Sequence, residues 1–205
     1  SRDKLDELKH LARTLPETKA AASSLRTWRL ALSDSPGAAN IRTPNGRLDH
    51  GRENVWSIQD VQMRPSNESV RQLMYDDFAT EQALAPAFYV KTDVQGADPA
   101  VARGMAKSLS AKNLTLLSFE YSQHWPQGDS LRRFAADMLS RGYSTYLVHG
   151  DAKRRRTSLM PVSGDAWDDS LEMCTAGGPR CVVDTLVVRD DSPTKAQLLR
   201  LTNGW

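Results

Sequence analysis

Apolar and polar positions change period several times along the chain, and the clearest change lies between residues 88 and 121. Phe88, Tyr89, Val90 and Val94 form a short apolar run that carries Asp93 near its end. Val101, Met105 and Leu109 then recur at helical spacing, which predicts one helix through 101–109. A second apolar run at 114–119 closes on Glu120. Strand, helix, strand at this length predicts a βαβ unit, because parallel strands need a crossover connection. Ligands in open α/β sheets bind beyond the carboxyl ends of such strands. Asp93 and Glu120 are each expected at a strand's carboxyl end, two carboxylates on one rim.

The same reading extends in both directions. Leu5, Leu8, Leu11, Ala12 and Leu15 make an amphipathic helix over 3–15 that Pro16 stops. A strand is expected at 27–33, ending in the turn Asp34-Ser35-Pro36-Gly37. From Ala38 to Glu53 the chain is polar, with Asn45-Gly46 reading as a hairpin or loop, and 55–63 as a short strand or extended loop. A strand at 69–75 precedes a helix start at Asp76-Asp77-Phe78. Beyond Glu120, a loop holds His124, Trp125 and Pro126, and Asp129 or Ser130 caps a helix over 131–141. That helix turns Leu131, Phe134, Ala135, Met138 and Leu139 inward, and Gly142 ends it at C′. Strands follow at 143–149 and 181–189, with a basic loop through Lys153-Arg154-Arg155-Arg156 and a closing helix over 195–201.

Composition narrows the class. The chain has 205 residues, 40% hydrophobic and 25% charged, enough for one α/β domain with a sizeable core. A net charge of +2 supplies no field that would favour nucleic acid. No stretch has the length of a membrane span. The two cysteines, Cys174 and Cys181, flank a Gly-Gly-Pro turn; two reduced buried thiols and a local disulfide are the alternatives, and the second is preferred. A disulfide would imply an oxidising compartment, the secretory lumen or cell exterior. One such pair without a nearby histidine is a poor zinc site. Two sequons, at Asn67 and Asn113, are short enough to arise by chance.

Taken in order, LALSDSPGAANI (30–41), MYDDFA (74–79), YVKTDVQGADPAVARGMAKSL (89–109), LLSFEYSQHW (116–125), RGY (141–143) and VVDTLVVRD (182–190) resemble the later part of an FkbM-type S-adenosylmethionine-dependent methyltransferase. The resemblance implies a Rossmann-like sheet with helices on both faces and a reversed last strand. It implies methyl transfer to a hydroxyl of a sugar or small metabolite, with S-adenosylmethionine as cofactor. Ser33 and Asp34 would contact the cofactor's adenine edge, and Lys91 is retained beside them as a cofactor-side residue. Asp93 would hold or deprotonate the acceptor, with Glu120 as partner base or hydrogen-bond acceptor and His124 as a proton shuttle. Each has a plainer role: Asp93 as a helix cap or an acceptor of loop amides, Glu120 in a salt bridge with Lys91 or a nearby arginine, His124 as an exposed loop residue, Asp34 as a turn residue.

The family's glycine-rich turn and its ribose-binding acid have no counterpart within residues 1–205. The expectation is therefore one methyltransferase-like domain that is incomplete at its N-terminus, with little affinity for S-adenosylmethionine in these 205 residues by themselves. Gln95 stands where the family usually has glutamate, and glutamine cannot act as a base. The alternative is thus a catalytically inactive module with a structural or interaction role beside other protein chains. A dinucleotide-binding Rossmann protein is a weaker third reading, since its glycine fingerprint is equally absent.

Overall fold

The computed structural model describes residues 26–44, 63–94, 96–151, 156–174 and 181–202. The expected helix at 3–15, the Asn45-Gly46 turn, Gln95 and Lys153 to Arg155 lie outside them, as does 55–63 apart from Met63. Two compact units divide the chain: Ser1–Ala31 with Gly37–Gln72, and Leu32–Pro36 with Leu73–Trp205.

The first unit is built on a three-stranded sheet in the order β1-β3-β2, where β1 is Leu30–Leu32, β2 is Gly37–Pro44 and β3 is Met63–Leu73. β2 and β3 are antiparallel, from Gly37 opposite Gln72 to Pro44 opposite Met63. The first part of the polar stretch after Ala38, as far as Pro44, is thus a strand, where the sequence reading assigned no element. Its residues satisfy their backbone groups by pairing, which apolar periodicity does not report.

The second unit carries a five-stranded mixed sheet, β4-β5-β8-β6-β7. Its strands are β4 Ala87–Lys91, β5 Leu114–Ser122, β6 Tyr143–Asp151, β7 Arg156–Pro161 and β8 Val182–Arg189. β4 and β5 are parallel, with Ala87 opposite Leu114 and Lys91 opposite Ser118. β8 runs antiparallel between β5 and β6. Both arrangements agree with the sequence reading. β7 was not expected; it begins at Arg156, where the basic loop was placed, and pairs antiparallel with β6.

The helices are α1 Tyr75–Glu81, α2 Asp98–Arg103, α3 Ala106–Ser110, α4 Leu131–Ser140 and α5 Pro193–Thr202. The single crossover helix expected through 101–109 is two short ones. Buried Asp76 explains the break: its carboxylate accepts the N–H groups of Lys107 (2.7 Å) and Ser108 (3.0 Å) and the Ser108 hydroxyl (2.6 Å). Those bonds start a new helix at α3, while Gly104 gives its carbonyl to the Asp76 N–H. A side chain at Gly104 would overlap the Ser33 carbonyl. Val101, Met105 and Leu109 remain fully buried, as their spacing required.

Alternation along β5 sets the two faces. Leu117, Phe119 and Tyr121 are buried on the side that receives α4, where Phe119 meets Phe134 with ring centroids 4.7 Å apart. Trp125 closes this cluster, 5.0 Å from Tyr121, with its indole N–H on the Glu120 carbonyl. It is a core residue. α4 buries Leu131, Phe134, Ala135 and Met138, but Leu139 is 41% exposed, contrary to the inward placement expected. At 3.6 residues per turn it lies roughly a quarter-turn from the centre of that stripe. Ser130 provides the cap, and Gly142 adopts φ +81° after the helix. α5 packs on β7 and β8, and its Lys195 donates to Ser144 of β6 (2.9 Å). The fold is mixed α/β, a mixed five-stranded sheet with helices packed against it.

Candidate functional site

β4 and β5 are parallel and run toward the same edge of the sheet, β4 ending at Lys91 opposite Ser118 while β5 continues to Ser122. Tyr89 and Ser118 share a 2.6 Å hydroxyl contact across them, and Lys91 stands opposite Ser118 on the same face. Asp93 lies two residues beyond the end of β4. Glu120 is not terminal, as expected, but two residues inside β5, because the strand continues to Ser122. Its partner across the sheet is Asp184 of β8. The face carrying Lys91, Ser118 and Glu120 thus also carries a second carboxylate that sequence reasoning did not select. Only the alternation of VVDTLVVR hinted at it.

Below the rim lies Asp98, the first residue of α2, 2% exposed. Its Oδ1 accepts from buried Thr92 at 2.7 Å, while Oδ2 is buried without a hydrogen bond. Asp-Pro at a helix start is ordinary punctuation, so nothing local in the sequence marks Asp98 as a buried acid. Gly96, at φ +98°, brings the chain between β4 and α2 against the loop after β5. A Cβ there would overlap the His124 carbonyl. The two loops that carry Asp93 and His124 are therefore in contact.

These acids raise one another. Glu120 is held above its ordinary value by burial first, then by the negative charges of Asp93, Asp184 and Asp98, with Lys91 pulling the other way. Asp98 is also raised, by burial and then by Asp93, against the hydrogen bonds it accepts. Lys91 acts on Glu120 through its field rather than as the salt-bridge partner that was the alternative. A carboxyl group with a raised pKa exchanges a proton closer to neutral pH, which suits acid–base work.

Ser33 and Asp34 sit elsewhere. Asp34 accepts the Arg103 Nε–H at 2.9 Å, and the same guanidinium reaches Asp129 at 2.8 Å. Arg103 is the last residue of α2, while Asp98 is its first, so a helix length of roughly 8 Å separates this triad from the buried end of the rim. Ser33 donates to Asp34 at 3.5 Å. The structure brings Lys91, Asp93, Glu120 and His124 to one rim and commits Ser33 and Asp34 to an ion-pair network. That network does not fit an open adenine contact. Residues fitted to hold S-adenosylmethionine are thus incomplete among the described residues.

Behind the rim, the Cys174–Cys181 disulfide is present, with Cα atoms 5.2 Å apart. Tyr121 receives it from one side: its hydroxyl accepts the Cys174 N–H (3.1 Å) and donates to Glu172 (2.8 Å). Gln123 receives it from the other, accepting the Cys181 N–H on Oε1 (2.8 Å) and donating its own N–H to the Cys181 carbonyl (3.2 Å). His124 is exposed, and its Nε2 lies 3.0 Å from Gln123 Nε2. Among the described residues no cluster of three or more acids, histidines or cysteines is set to hold a metal ion, and no helix is long and apolar enough to cross a membrane.

Compared with family models, with curated proteins and with solved structures, the chain matches none.

Proposed function

We propose that the protein is an S-adenosylmethionine-dependent O-methyltransferase of the FkbM type, acting on a hydroxyl of a sugar or small metabolite. The observation that carries this reading is the carboxyl pair on neighbouring parallel strands, Asp93 beyond β4 and Glu120 within β5. Methyl transfer to a hydroxyl needs the acceptor aligned and its proton removed. Asp93, exposed at the strand end, orients the hydroxyl. Glu120, raised by burial and by its acidic neighbours, takes the proton. S-adenosylmethionine, when bound, supplies the methyl group. The reversed strand β8 and the crossovers on the sheet support the same reading, because the resemblance implies both. Lys91 keeps its assignment at this rim; Ser33 and Asp34 keep theirs only if the Arg103 network opens.

A second reading, an inactive methyltransferase-like module that binds other chains, draws on Gln95 and on the edge strand β4. There Phe88 is 62% and Tyr89 50% exposed. In either case the disulfide supports folding in an oxidising compartment, in the secretory lumen or outside the cell.

Transfer of labelled methyl groups to a panel of sugars and small hydroxyl compounds decides between them. The natural protein should be assayed with whatever sequence precedes Ser1. Transfer that falls by about 10²-fold or more in Glu120→Gln supports the enzyme. A folded protein that neither binds S-adenosylmethionine in the micromolar range nor transfers methyl supports the module.

A further inference from the structure

Gln123 makes two contacts through one amide, and together they decide the state of the histidine beside it. Its Oε1 accepts from the Cys181 backbone N–H at 2.8 Å, a group that can only donate. The amide is therefore oriented, and Nε2, with its two hydrogens, faces His124 Nε2 at 3.0 Å. A contact between those nitrogens is favourable only if the imidazole nitrogen accepts. Its proton must then be on Nδ1.

We propose that Gln123 is a positioning residue that holds His124 as the Nδ1–H tautomer, with the Cys174–Cys181 disulfide as the anchor of that arrangement. Cys181 is fixed to Gln123 through both its N–H and its carbonyl. The disulfide ties it to Cys174, whose N–H is bound by the buried Tyr121 hydroxyl. Gly96 meets the His124 carbonyl from the other side, so the histidine backbone is held as well.

The consequence is chemical. With Nε2 occupied by the Gln123 amide, the atom His124 offers a ligand is Nδ1–H, a hydrogen-bond donor. His124 then donates to an oxygen lone pair of a hydroxylated acceptor and does not serve as its base, which leaves proton removal to the carboxylates. This use of the hydrogen rests on the methyltransferase reading; the tautomer does not.

Two-bond ¹H–¹⁵N correlation spectra of the natural protein, labelled with ¹⁵N and recorded above the range where imidazole is protonated, test the proposal. His124→Asn identifies the signals by their loss. The expected pattern is an unprotonated Nε2 and a protonated Nδ1, the reverse of the tautomer that predominates in free histidine. Gln123→Glu keeps the acceptor for Cys181 and places a carboxylate oxygen against Nε2, so the pattern should switch to a protonated Nε2. Gln123→Met and reduction of the disulfide should each return the free-histidine mixture. Wild-type signals of an Nε2–H tautomer or of that mixture overturn the proposal, whatever the variants do. Unchanged signals after reduction overturn the disulfide's part in it. A protein with the predicted tautomer but no methyl transfer loses the functional reading and keeps this one.

Discussion

The two ends of the five-stranded sheet treat charge in opposite ways. At the end where β5 begins, Asp190 receives Lys195 at 2.6 Å and the Ser144 hydroxyl at 2.6 Å, and Asp191 receives Lys112 at 3.0 Å. Arg189 donates to the Lys112 carbonyl at 2.7 Å. Burial raises the pKa of Asp190, but Lys195 and Ser144 outweigh it and hold that carboxyl below its ordinary range. At the other end Asp93, Glu120, Asp184 and Asp98 face one another with Lys91 as their nearby cation, and Glu120 and Asp98 are raised. Paired charges hold structure together. Like charges gathered in one place cost stability and suit acid–base chemistry, which makes the second end the candidate site.

The largest expected effect comes from breaking the rim's frame. Gly96→Ala places a side chain at φ +98° and into the His124 carbonyl. A loss of roughly 1–3 kcal/mol follows from the strained backbone alone. Urea denaturation should show an earlier midpoint, and an unchanged one would mean that the two loops are not in contact.

At the paired end, Lys195→Met should cost about 1 kcal/mol near neutral pH, the scale of a partly exposed ion pair. Because the Asp190 pKa is depressed in the folded protein, its contribution is present above the unfolded pKa and fades as pH falls through the folded one. The gap between wild type and variant should therefore close in acid. A gap that persists there would assign the loss to packing of the lysine stem.

The smallest effect has the opposite sign. Glu120 has a raised pKa, so its favourable contribution is complete below the unfolded pKa and is lost as pH rises through the folded one. Glu120→Gln should thus stabilise the protein by less than about 1 kcal/mol at neutral pH, and by progressively less as the medium becomes acid. Thermal melts across that range test it. Destabilisation at neutral pH would show that the charge at 120 is compensated and that the contrast between the two ends is weaker than drawn.

Local pattern determined the βαβ unit, the amphipathic stripe of α4 and the Ser130 cap, because each rests on near neighbours or on a strong period. Asp93 was legible as a residue just beyond a strand for the same reason, whereas Glu120, expected at a strand end, lies two residues inside β5. A disulfide between Cys174 and Cys181 was legible from a short spacing around a turn, which brings two side chains together locally.

What only tertiary structure decided depends on contacts distant in sequence. Asp76 splits the crossover helix from 31 residues away, through its bond to Lys107. Arg103 engages Asp34 in an ion pair across 69 residues. Asp184 joins Glu120 only because β8 lies antiparallel beside β5. Asp98 opens α2 and is a buried acid with one oxygen unsatisfied, which no local period reports. A residue's type and local period say where it sits on its own strand or helix. Which charges face it, and hence whether it is paired or raised, is set by how distant segments pack.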